Sequence, residues 1–156
     1  MAEHVHRYRA RCLWEGSTAG GYFDYDRTHL ASSPPAEGTL TLSADPAFRG
    51  DAARLNPEQL VVLAAASCQL LSFLASAALS KVDVRHYEDD AEAELFEGAS
   101  PARITAIWLR PRIVVAPGTD ESLVRRLVDK AHDGCYVAHS LNCAVQIQPE
   151  VIVAEA

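Results

Sequence analysis

From Gln59 to Ser80 the chain carries no charged side chain, and most of the stretch is Leu, Ala and Val with one thiol, Cys68, near its middle. Just before it stands Asn56-Pro57-Glu58-Gln59. Asn is a strong N-cap, Pro suits the first helical position where its missing N–H costs nothing, and Gln at the third position completes a capping box. The spacing therefore predicts a helix that starts at Pro57. A run of this length approaches the roughly 20 residues that cross a bilayer. It also contains Ser67, Gln69, Ser72 and Ser76, and no Lys/Arg-rich loop flanks it to set an orientation. The expected place for such a helix is a globular core or the boundary between two subunits. In a chain of 156 residues that expectation implies an obligate partner.

The length suits one domain with a core large enough to need no disulfide staples. Fourteen basic against 21 acidic side chains leave a formal charge of −7, which argues against nucleic acid and against an anionic membrane surface as partners. Residues 1–15 hold Glu3, His4, His6, Arg7, Arg9 and Arg11 but no apolar h-region, so no signal peptide is expected and the expected compartment is the cytoplasm. Four cysteines in that compartment do not form a disulfide framework. Cys12 and Cys143 fall in alternating segments and read as packed structural thiols, which leaves Cys68 and Cys135 to be explained.

Alternation predicts strands over Tyr8–Trp14, Tyr22–Arg27 (or an extended edge there), Gly38–Ser43, Val82–Tyr87, Ala91–Phe96, Arg103–Val115 and Cys143–Val153. Pro111, inside the sixth, suits an edge or a bulge. Residues 28–35 read as a loop. A second, amphipathic helix is expected over Asp120–Ala131, with Leu123, Leu127 and Ala131 on one stripe and Gly134 as its stop, then a short helical piece from Cys135 to Leu141. With no repeat and no linker, residues 1–156 read as a single α+β domain, antiparallel strands packed on one long apolar central helix and one amphipathic helix.

Asn56-Pro57-Glu58-Gln59-Leu60, Ala65-Ala66-Ser67-Cys68 and a second cysteine, Cys135, after the next helix resemble the OsmC/Ohr family of thiol-dependent hydroperoxide reductases. The segment Gly21–His29 is similar to the part of such proteins that supplies an active-site arginine. The resemblance implies an intertwined homodimer with two peroxidase sites at its interface and no bound cofactor. Its substrate would be an organic hydroperoxide and its reductant an external dithiol. By the same match Cys68 is the peroxidatic thiol, Cys135 the resolving thiol, Glu58 the active-site carboxylate and Arg27 the arginine, with Arg49 and Arg54 as the alternative arginines. Cys135 is followed by Tyr136, Val137 and Ala138 instead of Pro and Ser, which resembles the OsmC-like branches of the family.

Elementary chemistry adds two requirements. A cysteine attacks peroxide as thiolate, and apolar surroundings raise its pKa, so Cys68 needs a positive group nearby; Arg27, held by Glu58, is the expected source. Ten residues of unbroken helix place Glu58 and Cys68 about 15 Å apart, so the helix kinks or a second subunit contributes Glu58 and Arg27. Two rival readings stand beside the peroxidase. One is a non-catalytic dimer that binds an apolar small molecule around the central helix. In the other, His132, Cys135, His139 and Cys143 share one helical stripe and hold zinc.

Overall fold

A computed structural model describes residues 4–155. The backbone clusters into two compact units that divide between Leu60 and Val61. No linker marks the division because the long helix, α1 (Pro57–Leu79), runs through it.

In the first unit three short strands, β1 (Arg11–Leu13), β2 (His29–Ser32) and β3 (Thr39–Leu42), form an antiparallel sheet in chain order. The expected strand over Tyr22–Arg27 is a series of turns instead, and β2 lies where the composition suggested a loop. Local side-chain bonding explains the shift. Asp26 Oδ1 accepts the Thr28 N–H at 2.8 Å, Gly21 adopts a positive φ of 87°, and the Trp14 indole donates to the Asp26 carbonyl at 2.7 Å. The tie between β1 and the turn fixes the loop without a strand ladder.

After β3 the chain turns sharply through a 3₁₀ segment, Pro46–Phe48, capped by Asp45, whose carboxylate accepts the Ala47 N–H at 2.8 Å. Gly50 sits against the Ala44 carbonyl so closely that no Cβ fits. The return brings Leu55 beside Leu42 and delivers Asn56 to the start of α1. The expected capping box is present in both directions: Gln59 N–H donates to Asn56 Oδ1 at 2.8 Å, and Asn56 N–H to Gln59 Oε1 at 2.9 Å. A cap of this kind contributes about 1 kcal/mol.

In the second unit, α1 lies against two three-stranded sheets. Strands β4 (Val84–Asp89), β7 (Pro111–Val115) and β9 (Glu150–Val153) make one, and β5 (Glu92–Phe96), β6 (Arg103–Leu109) and β8 (Ala144–Ile147) the other. The pairs β4·β7 and β5·β6 are antiparallel, while β8 and β9 add in parallel to β6 and β7. Pro111 occupies neither an edge strand nor a bulge. It is the buried first residue of β7, a central strand, where a missing N–H is tolerated. Arg110 N–H donates to Asp89 Oδ1 at 2.7 Å just before it, so the chain leaves one sheet and enters the other at this point.

Helix α2 (Glu121–Asp133) is capped by Asp120 and buries Val124, Leu127, Val128 and Ala131; Leu123 is only partly buried at its edge. It ends at Gly134, and Cys135 then caps the five-residue α3 (Tyr136–Ser140). The core joins α1 to both sheets and to α2: Phe73 and Ala77 meet Ile113, Val115, Val124 and Val128, and Ala65 meets Ile107 and Leu109.

Only one stripe of α1, Ala65, Gln69, Phe73 and Ala77, is buried within the chain. Leu63, Leu71 and Leu79 on its other faces are 52%, 63% and 87% exposed in the single chain. α1 is long and apolar enough to cross a membrane by length and composition. Its buried stripe, however, belongs to the core shared with the sheets and α2.

Candidate functional site

Four cysteines are free. Cys12 is exposed, contrary to the expectation of a packed thiol, because the short sheet that carries it leaves that face open. Cys143 is half-buried, and burial pushes its thiol up. The other two form a pair.

Cys68, half-buried on α1, lies beside Cys135 and the Tyr136–Val137 start of α3. Ser72, one turn along α1, adds its hydroxyl. Burial works to raise the Cys68 thiol, but these donors, Cys135 foremost and then the Val137 N–H, outweigh it and hold Cys68 below its ordinary value. Cys135, only 1% exposed, is pushed up by burial and then by its hydrogen bond with Cys68, although its Sγ accepts the Ala138 N–H at 3.5 Å.

The two sulfurs are thereby differentiated. Cys68 is held below its ordinary value and Cys135 above it. Within the single chain the groups that lower the Cys68 thiol are Cys135, the Val137 and Tyr136 amides and the Ser72 hydroxyl. Alkylation of Cys68 is accordingly expected to show an inflection below the roughly 8.5 of a free cysteine, with Cys135 inflecting above it. Peptide-resolved iodoacetamide rates across pH read both, and coincident inflections near 8.5 would contradict the differentiation.

Arg27 and Glu58 both line a cavity of about 420 Å³ in the first unit, together with Trp14, Tyr25, His29 and Ser43. The expected bidentate pair between them is not formed. The Arg27 guanidinium donates instead to the carbonyls of Tyr25 at 2.9 Å and Tyr22 at 2.8 Å, and lies 4.0 Å from the centroid of the Tyr25 ring. A cation spread over an aromatic face and bonded to its own loop is held without a carboxylate. His29 Nδ1 bonds the Arg27 carbonyl at 2.9 Å and so belongs to the same loop brace. The alternative arginines are engaged elsewhere, Arg49 over the Phe23 ring and Arg54 with Asp51.

α1 is a single unbroken helix, so at about 1.5 Å per residue Glu58 lies roughly 15 Å along its axis from Cys68. The kink that would have brought them together is absent. The stripe proposed for zinc is also interrupted: α2 ends at Asp133, α3 starts afresh at Tyr136, and His139 turns its Nε2 to the Asp133 carbonyl at 2.6 Å. Among the described residues no three His, Cys, Asp or Glu side chains converge as metal ligands would. The short helical piece after Cys135 is where the sequence expected it, but the nearness of its first amides to Cys68 depends on how α2 packs on α1, which no local pattern gives.

Fold and thiol pair together define an α+β dithiol protein. The family model described as OsmC-like protein matches residues 50–150, more than half of the chain, and the chain belongs to that family. Among solved structures, an OsmC-like protein of unknown function from Vibrio cholerae is 25% identical with a TM-score of 0.83, covering 94% of this chain and 100% of its own. An organic hydroperoxide resistance protein from Legionella pneumophila is 18% identical with a TM-score of 0.71, covering 96% and 99%. An organic hydroperoxide resistance protein from Elizabethkingia anophelis is 14% identical with a TM-score of 0.72, covering 98% and 100%. No curated protein matches the chain significantly.

Proposed function

We propose that this protein is a thiol-dependent peroxidase that reduces organic hydroperoxides through Cys68 and Cys135. The reading is carried by two free thiols set side by side, Cys68 on α1 and Cys135 at the cap of α3, with Cys68 lowered and Cys135 raised. The Cys68 thiolate attacks the terminal oxygen of ROOH; an S–O bond forms, the O–O bond breaks, and the alkoxide leaves as ROH with a proton. Cys135 then condenses with the Cys68 sulfenic acid, forming the S–S bond and releasing water. An external dithiol reduces the disulfide by exchange, so no bound cofactor is required. Membership of the OsmC-like family, and the neighbours named as organic hydroperoxide resistance proteins, support this substrate class.

The same proposal includes a homodimer in the cytoplasm. Covering a leucine contributes about 1.5–3 kcal/mol, and α1 leaves several leucines open. A second copy would cover them and would let the partner subunit's Arg27 and the partner subunit's Glu58 reach Cys68, which the unbroken helix denies to Glu58 of the same chain. Phe73 is wholly buried in the core, whereas Leu71 is open to an apolar group. Sedimentation equilibrium is expected to give twice the 16.9 kDa chain mass, and a monomer at micromolar concentration would contradict the dimer.

Consumption of cumene hydroperoxide and of hydrogen peroxide with dithiothreitol as reductant tests the activity. The expected result is dithiol-dependent turnover with kcat/KM at least tenfold higher for the aryl hydroperoxide. Equal values would contradict the substrate class, and no dithiol-dependent consumption would overturn the function. A non-catalytic binder of apolar molecules gives no reason for two adjacent thiols to be shifted in opposite directions, and it predicts that last result.

A further inference from the structure

We infer that Gln69 is a positioning residue, a strut that holds the α2–α3 junction, and with it Cys135, in place against Cys68. Consecutive side chains of α1 grip the two sides of that junction. Cys68 meets the Cys135 thiol and the first amides of α3, while Gln69 Nε2 donates to the Val128 carbonyl of α2 at 3.2 Å. Val128 lies about two turns upstream of Cys135, with only the end of α2 and Gly134 between them.

Stability does not account for a glutamine here. Gln69 is 0% exposed and stands on the stripe otherwise made of Ala65, Phe73 and Ala77. Val128 sits within α2, where the His132 amide is its helical donor, so its carbonyl does not need Gln69. Gln69 Oε1 has no protein partner. A half-satisfied carboxamide in a packed core is less favourable than an apolar side chain of the same length. What the amide supplies is direction. Apolar ridges slide past one another at little cost, whereas a single buried donor–acceptor pair fixes the register of α2 on α1.

The inference rests on the dithiol reading of Cys68 and Cys135 but not on peroxide chemistry, and the test separates the two. Gln69→Met keeps length and volume and removes the donor. Diamide serves as oxidant: the Cys68 sulfur adds to its N=N bond, Cys135 displaces the resulting hydrazine, and the disulfide forms as the diazene is reduced. Q69M is expected to fold with an unchanged or raised Tm, to form the Cys68–Cys135 disulfide at least tenfold more slowly than the unaltered protein, and to show a Cys68 alkylation inflection moved to higher pH. A rate within twofold of the unaltered protein overturns the inference. So does failure of Q69M to fold, since the glutamine would then serve the core. If the unaltered protein closes the disulfide with diamide yet consumes no hydroperoxide, the proposed function falls, and the slowed closure in Q69M still decides for the strut.

Discussion

Cys68→Ser is expected to lower hydroperoxide turnover by about 10³-fold or more, which at 1.36 kcal/mol per decade is upward of about 4 kcal/mol of lost transition-state stabilisation. The donors around position 68, the Val137 and Tyr136 amides and Ser72, stay in place in this variant. What changes is the nucleophile. A serine hydroxyl is far harder to ionise than a thiol, and a thiol held below its ordinary value ionises more readily still. Because the side chain is half-buried and the replacement nearly isosteric, stability is expected to change by less than about 1 kcal/mol. Turnover with cumene hydroperoxide, set beside a urea unfolding curve, checks both parts. Turnover within tenfold of the unaltered protein would remove Cys68 from the chemistry.

Cys135→Ser is expected to separate the two half-reactions. Serine can still cap α3 in place of the Cys135 Sγ, and its hydroxyl can still donate to Cys68, so the first oxidation is expected to proceed within about threefold of its normal rate. Resolution is lost. Steady-state turnover falls by about 10²-fold, and a Cys68 sulfenic acid accumulates that dimedone captures. Cys135→Ala removes the donor as well, so the Cys68 thiol rises and oxidation near neutral pH slows too. The contrast between serine and alanine isolates the hydrogen bond from the resolving role. If C135S turns over normally and dimedone captures nothing, Cys135 is only a buried cap.

Much of the fold was legible where one residue type has one job. Asn56, Pro57 and Gln59 announce the start of α1, and both directions of the capping box are present. Asp120 and Gly134 bracket α2 in the same way. The errors fell where side chains compete with the backbone ladder. Tyr22–Arg27 alternates like a strand, but Asp26 satisfies the Thr28 amide and aromatic rings pack on Arg27, so turns prevail. Pro111 looked like an edge residue because a proline rarely starts a central strand; its role as the crossing between two sheets depends on Asp89, some twenty residues earlier.

The candidate site divides along the same line. The two thiols could be picked out from their setting, one in an uncharged helix and one after a helix stop. Their electrostatics could not, because the donors that lower Cys68 come from a turn whose position depends on how α2 lies on α1. The Arg27–Glu58 pair shows the opposite failure: complementary charges placed in one cavity do not bond when an aromatic loop already holds the cation.

The central claim is that a depressed thiol and its raised neighbour act in sequence on one peroxide. It is tested most directly by adding one equivalent of cumene hydroperoxide to the fully reduced protein, quenching with an alkylating agent and mapping the peptides by mass spectrometry. The account predicts one new disulfide per chain, joining Cys68 to Cys135, with Cys12 and Cys143 still alkylated as free thiols. Cys68 recovered in its reduced, alkylated form while the hydroperoxide remains unspent would contradict it.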